Sequence, residues 1–82
     1  MAYEMEIKDE ARAALRDLPE NIRRQIGYRL HVLQQEFGGD VKKLKGSTNE
    51  YRLRVGDYRV LFEVEGKRIV IYTVGQRKDI YR

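Results

Sequence analysis

The sequence has no cysteine, a single histidine and a single proline in its 82 residues. Without cysteine there can be no disulfide staple, no thiol nucleophile and no zinc–cysteine site, and the chain suits a reducing compartment. The lone His31 falls in a helical stretch away from the basic half of the chain. Ser47, in a turn, has no histidine in sequence range, which argues against a nucleophilic triad. A metal centre would have to be built from clustered carboxylates, and Glu4 and Glu6 have the spacing of a wet strand face instead. No metal and no other cofactor is expected. No apolar run approaches the roughly 18 residues of a membrane span. The opening MAYEMEIKDEA is acidic and lacks the apolar core of a signal peptide, so a soluble, cytoplasmic protein is expected.

What the chain does have is charge, unevenly placed. Residues 1–40 carry 6 basic and 8 acidic side chains, and residues 41–82 carry 11 and 5. A basic C-terminal half points first to nucleic acid, with a merely solvated basic face as the alternative. The length predicts one domain, residues 1–82. A chain of this size buries only about 60–65% of its unfolded surface, so its core is thin. A site on it should be a shallow groove on a sheet face.

Residues 2–7, AYEMEI, alternate Tyr3, Met5 and Ile7 against glutamates, the pattern of a short strand. Ala11, Ala14, Leu15 and Leu18 then recur at helical spacing, predicting a helix from Asp9 to Leu18, with Asp9 and Glu10 at its positive end. Pro19 ends it and suits the first turn of a second helix. That helix carries the stripe Ile22, Ile26, Leu30, Leu33 and Phe37. Gly38-Gly39 is expected to stop it in the left-handed geometry that glycine tolerates.

The remainder reads as strands. VKKLKG has the lysines of an edge strand. YRLRV and YRVLFEV flank the compact turn Gly56-Asp57. KRIVIYTVG places Ile69, Ile71 and Thr73 on one face and Val70, Tyr72 and Val74 on the other, as in an interior strand. The fold class is therefore α+β: an N-terminal strand, a two-helix hairpin, then a three- to four-stranded antiparallel sheet, in the order β-α-α-β-β-β.

Alternation puts Arg52 and Arg54 on the face opposite Tyr51, Leu53 and Val55, and Arg59 opposite Tyr58, Val60 and Phe62. In simple register the three arginines are neighbours. Adjacent like charges repel, so the cluster costs stability unless an anion relieves it. Guanidinium forks suit phosphate oxygens, and tyrosine stacks on bases. The alternative is a solvated face whose arginine stems cover apolar neighbours. Lys43 and Lys45 lie upstream, and GQRKDIYR adds Arg77, Lys78, Tyr81 and Arg82 downstream.

Taken together, KKLKG, YRLRVGDYRVLFEV and IYTVGQRKDIYR resemble the RelE branch of the RelE/ParE superfamily of toxins, over nearly the whole chain. The resemblance implies the toxin of a type II toxin–antitoxin pair that cuts mRNA in the ribosomal A site without a metal. The ribose 2′-OH attacks the adjacent phosphorus, leaving a cyclic phosphate and a free 5′-OH. It also implies, as partners, the ribosome with its A-site mRNA and a cognate antitoxin that neutralises the toxin in a hetero-oligomer. By position, Arg59 matches the arginine that stabilises the transition-state phosphate, Arg77 the arginine beside the leaving oxygen, and Tyr81 the tyrosine that orients the 2′-OH. Arg52 and Arg54 stand where the family often has RNA-binding lysines. Lys43, Lys45, Lys78 and Arg82 complete the expected RNA-binding set. Gln76 stands where many relatives have histidine. Arginine is effectively always charged, so Arg52 and Arg54 are expected to act electrostatically rather than as bases. Two further readings remain open: a ParE-like inhibitor of gyrase on the same scaffold, and a non-catalytic nucleic-acid-binding module.

Overall fold

In the computed structural model, which describes residues 2–80, a five-stranded sheet carries two helices on one face. The elements are β1 (Glu4–Ile7), α1 (Asp9–Arg16), α2 (Glu20–Glu36), β2 (Asp40–Lys43), β3 (Glu50–Val55), β4 (Tyr58–Glu65), β5 (Arg68–Gln76) and a short α3 (Arg77–Ile80). The strand order is β1-β5-β4-β3-β2. Strands β2 to β5 pair antiparallel, as expected, and β1 joins the same sheet parallel to β5. The lysine-bearing β2 is indeed an edge, and α3 is an element that the hydrophobic pattern gave no sign of.

Helix formation follows the apolar spacing. Ala11 of α1 and Ile26, Leu30 and Leu33 of α2 are buried against Leu53, Val55, Val60, Phe62, Ile69 and Ile71 of the sheet. Asp9 and Glu10 lie in the first turn of α1 and Arg16 in its last, each complementing the helix dipole. Pro19 caps α2 with extended backbone, and its carbonyl accepts the Arg23 N–H at 2.9 Å. The chain start is tied to α2 twice: Tyr3 N–H donates to the Gln34 carbonyl at 2.8 Å, and Gln34 Nε2 donates to the Tyr3 carbonyl at 2.9 Å.

Two local expectations are corrected. The left-handed residue that ends α2 is Phe37 (φ 54°), ahead of the diglycine. Its Cβ makes that conformation costly, by about 1–2 kcal/mol. The compensation is packing: the Phe37 ring lies 5.4 Å from Tyr3, 5.6 Å from Tyr51 and 6.0 Å from Phe62. The second correction concerns β5. Leu61 pairs with Thr73 but Phe62 pairs with Ile71, so Tyr72 is an extra residue, a β-bulge. The bulge reverses the alternation. Val74, not Thr73, joins Ile69 and Ile71 on the helix face, and Gly75 comes opposite Arg59.

A candidate nucleic-acid interface on the open sheet face

The register settles where the arginines stand. Arg54 pairs directly with Arg59, and Arg52 with Leu61, so all three occupy the face away from the helices. One row across the sheet reads Asp40, Arg54, Arg59, Gly75; the next reads Lys42, Arg52, Leu61, Thr73. Like charges sit side by side in both rows.

The Gly56-Asp57 turn joins β3 to β4, with Gly56 at φ 59°, the sign that a two-residue hairpin with glycine in its first position requires. Arg59 is 7% exposed. Its Nη1 donates to the carbonyls of Gly56 at 2.9 Å and Tyr58 at 3.0 Å, so the guanidinium is clamped beneath the turn. Asp57 binds the same turn to the chain's end, its carbonyl accepting the Arg77 N–H at 2.9 Å. Helix α3 thus starts at the hairpin tip. It then folds back over β5: a Cβ placed on Gly75 would lie 3.5 Å from Ile80 Cγ1.

The result is an open groove of about 1410 Å³. Arg52, Arg54 and Arg59 line its floor with Tyr58, and Arg77 and Lys78 line the C-terminal side. Lys42, Lys43 and Lys45 line the other side. The groove therefore gathers Arg52, Arg54, Arg59, Arg77, Lys43, Lys45 and Lys78 of the expected residues. Tyr81 and Arg82 lie outside the described residues. Ser47 has a turn role: its Oγ accepts the N–H groups of Asn49 and Glu50 at 3.3 and 3.0 Å.

Sequence reading passed over two groove-lining residues, Lys42 and Tyr58, and a third residue that pairs with the groove's arginines. Lys42 pairs with Arg52 and so shares the arginine face, whereas Lys43 pairs with Tyr51; strict alternation from Arg52 through a known register would have found it. Tyr58, on the core-facing parity of β4, reaches the groove from the hairpin end, and Gln76 Nε2 donates to its hydroxyl at 3.5 Å. Asp40 is the third. Its Oδ2 meets Arg54 Nε at 3.1 Å and its Oδ1 meets Arg52 Nη1 at 3.3 Å.

The open face changes sign along its strands. Beyond the arginines, Glu6 and Glu63 both pair with Val70, and Glu50 pairs with Glu63. Tyr72 donates its hydroxyl to Glu50 Oε1 at 2.8 Å. Glu6 is bonded to Arg68 and lies 3.4 Å from Lys8 Nζ. The hydrogen bond from Arg68, followed by that from Lys8, holds the Glu6 carboxyl below its ordinary range.

The chain also matches a known protein family. The family described as "ParE toxin of type II toxin-antitoxin system, parDE" matches residues 5–81. Toxin RelE3 of Methanocaldococcus jannaschii is 39% identical over 72 residues, 82% of either chain. The chain is a RelE-like member of the ParE toxin family. Among solved structures, this RelE-like toxin is similar to the archaeal RelE–RelB complex from Pyrococcus horikoshii OT3, with a TM-score of 0.80 at 33% identity, covering 94% of this chain and 97% of that one. It is equally similar, with a TM-score of 0.80 at 33% identity, to the RelB–RelE antitoxin–toxin complex from Methanococcus jannaschii, covering 93% and 94%. In the toxin's described residues no helix is long and apolar enough to cross a membrane.

Proposed function

We propose that this RelE-like toxin is a ribosome-dependent mRNA endonuclease that stops translation in the cytoplasm. The observation that carries the reading is the convergence of Arg52, Arg54, Arg59 and Arg77 on one open groove. In this reading the phosphate to be cut lies over Arg59. The mRNA's own 2′-oxygen attacks phosphorus, the bond to the 5′-oxygen breaks, and a 2′,3′-cyclic phosphate and a 5′-OH result. Arg59, fixed by two carbonyls, meets the charge that develops on the phosphorane without having to reorganise. Arg77 stands beside the leaving oxygen, and Tyr81 orients the 2′-OH. Lys42, Lys43, Lys45 and Lys78 hold flanking phosphates. The glutamates at the far end of the face repel the strand and confine it to the basic end.

Arginine and tyrosine are poor proton carriers at neutral pH, so catalysis leans on alignment, which contributes about 7–11 kcal/mol when reacting groups are held in place. The ribosome supplies that alignment. RelE–RelB complexes are known among the similar structures, and here a cognate antitoxin would bring an acidic or amphipathic segment that either covers Arg52, Arg54 and Arg59 or displaces the C-terminal tail.

The test is primer extension on one mRNA, free in solution and threaded in stalled ribosomes. New 5′ ends are expected on ribosomes and almost none on free RNA, and alanine at Arg59, Arg77 or Tyr81 should remove them. Equal rates on both substrates would overturn the division of labour. The family description favours one second reading, a gyrase poison. It requires loss of DNA supercoiling activity in purified gyrase, with toxicity preserved in the same alanine variants.

A further inference from the structure

Arg52 and Arg54 are not idle in the free protein. Each takes one oxygen of the same carboxylate, Arg52 Nη1 on Asp40 Oδ1 and Arg54 Nε on Asp40 Oδ2. Arg52 Nη1 also donates to the Asp40 carbonyl at 3.3 Å. Asp40 stands at the start of the edge strand β2, directly across from Arg54. It closes the row that continues through Arg54 to Arg59. A carboxylate held by two guanidiniums, one on each oxygen, has the charge and the paired acceptors of a phosphodiester. The contacts are long, 3.1 and 3.3 Å, and the Asp40 side chain is 48% exposed. Such a pairing is weak and open to exchange.

We propose that Asp40 is a positioning residue that stands in for an RNA phosphate in the free toxin: it holds Arg52 and Arg54 together and yields them when a phosphodiester arrives. This rests on the RNA-binding reading of the groove and adds an internal competitor to it. Two roles follow from one contact. The carboxylate keeps two mutually repelling guanidiniums in place, and it lowers the groove's affinity for RNA that arrives without help. Binding is thereby biased toward RNA already presented in the correct alignment.

The test uses the full chain and a fluorescent single-stranded RNA made entirely of 2′-O-methyl nucleotides, which cannot be cleaved. Binding is followed by anisotropy across a salt series. D40N should bind about two- to fivefold more tightly, the span of one exposed charge pair. Its log affinity should fall more steeply with log salt by about 0.7, one more phosphate neutralised on a single strand. D40S, equally uncharged, should do the same; partial unfolding would weaken apparent binding and cannot imitate the gain. E10Q, on the exposed start of α1, makes the same change in net charge away from the groove and should leave binding unchanged. The R52A/R54A double variant should weaken binding and flatten the salt dependence.

Unchanged or weaker binding by D40N and D40S, while R52A/R54A still lowers affinity, overturns the inference alone. The same holds if E10Q matches D40N, since the effect would then be one of overall charge. Binding by R52A/R54A equal to that of the native chain overturns the groove reading, and the inference with it.

Discussion

Arg59 can be either a structural rivet or a functional charge held in readiness, and Arg59→Met separates the two. The guanidinium makes two charge-assisted hydrogen bonds, to Gly56 and Tyr58 carbonyls. At about 1.5–3 kcal/mol each, they are worth roughly 3–6 kcal/mol before opposing effects. Those effects are large. Arg59 is 7% exposed, and desolvating a charge costs several kcal/mol even after relaxation. Arg54 lies directly opposite and repels it. Methionine keeps most of the volume and the apolar stem, and the two freed carbonyls belong to the exposed turn residue Gly56 and to the groove-lining Tyr58. The sum predicts stability within about 1.5 kcal/mol of the native chain, in either direction. Cleavage on ribosomes should fall by about 10²–10³, the loss that follows removal of one preorganised donor to a developing oxyanion. Urea unfolding followed by circular dichroism gives the first number, and single-turnover primer extension gives the second. A loss of about 3 kcal/mol or more, with cleavage falling only as the folded fraction falls, would refute the reasoning and leave Arg59 a rivet of the hairpin turn.

Phe37→Ala should cost about 3 kcal/mol in urea unfolding, because three aromatic neighbours lose their partner while the left-handed backbone remains. Phe37→Gly should then recover about 1 kcal/mol relative to alanine, the reverse of the usual ranking in a helix; glycine less stable than alanine would show that the strain is absent. Glu6→Gln tests a linkage to pH. The folded Glu6 carboxyl titrates below its unfolded value, so its contribution is present above about pH 4.5 and is lost as pH falls through the folded value. Urea midpoints of native and E6Q chains should differ near neutral pH and converge in strong acid. A constant gap at all pH values would contradict the Arg68 pairing as its source.

The parts of the site that were legible in the sequence share one property: they depend on alternation within a single unbroken hairpin. Arg52, Arg54 and Arg59 could be placed on one face because period two holds from Tyr51 to Leu61 across a two-residue turn, and the observed pairs bear this out. The same rule failed in β5, where Tyr72 adds a residue with no glycine or proline beside it to signal a bulge, and the face of everything after it reversed. The long-range contacts were illegible for a different reason. Asp40 reaches its arginines across 12 and 14 residues of chain, and only the β2–β3 register brings them together. A lone aspartate after a diglycine carries no mark of such a role. The clasp between the Asp57 carbonyl and the Arg77 N–H is a backbone bond, to which side-chain identity contributes nothing. That clasp, with the pairing of Tyr58 to Gln76, holds the start of the C-terminal segment at the hairpin tip. Alternation alone gathers three arginines, but the groove needs the chain's end brought back to the turn, and for that the sequence offered only its resemblance to a family. Residues within a strand are therefore placed by pattern, while the closure of the site is placed by backbone geometry that becomes visible only in the fold.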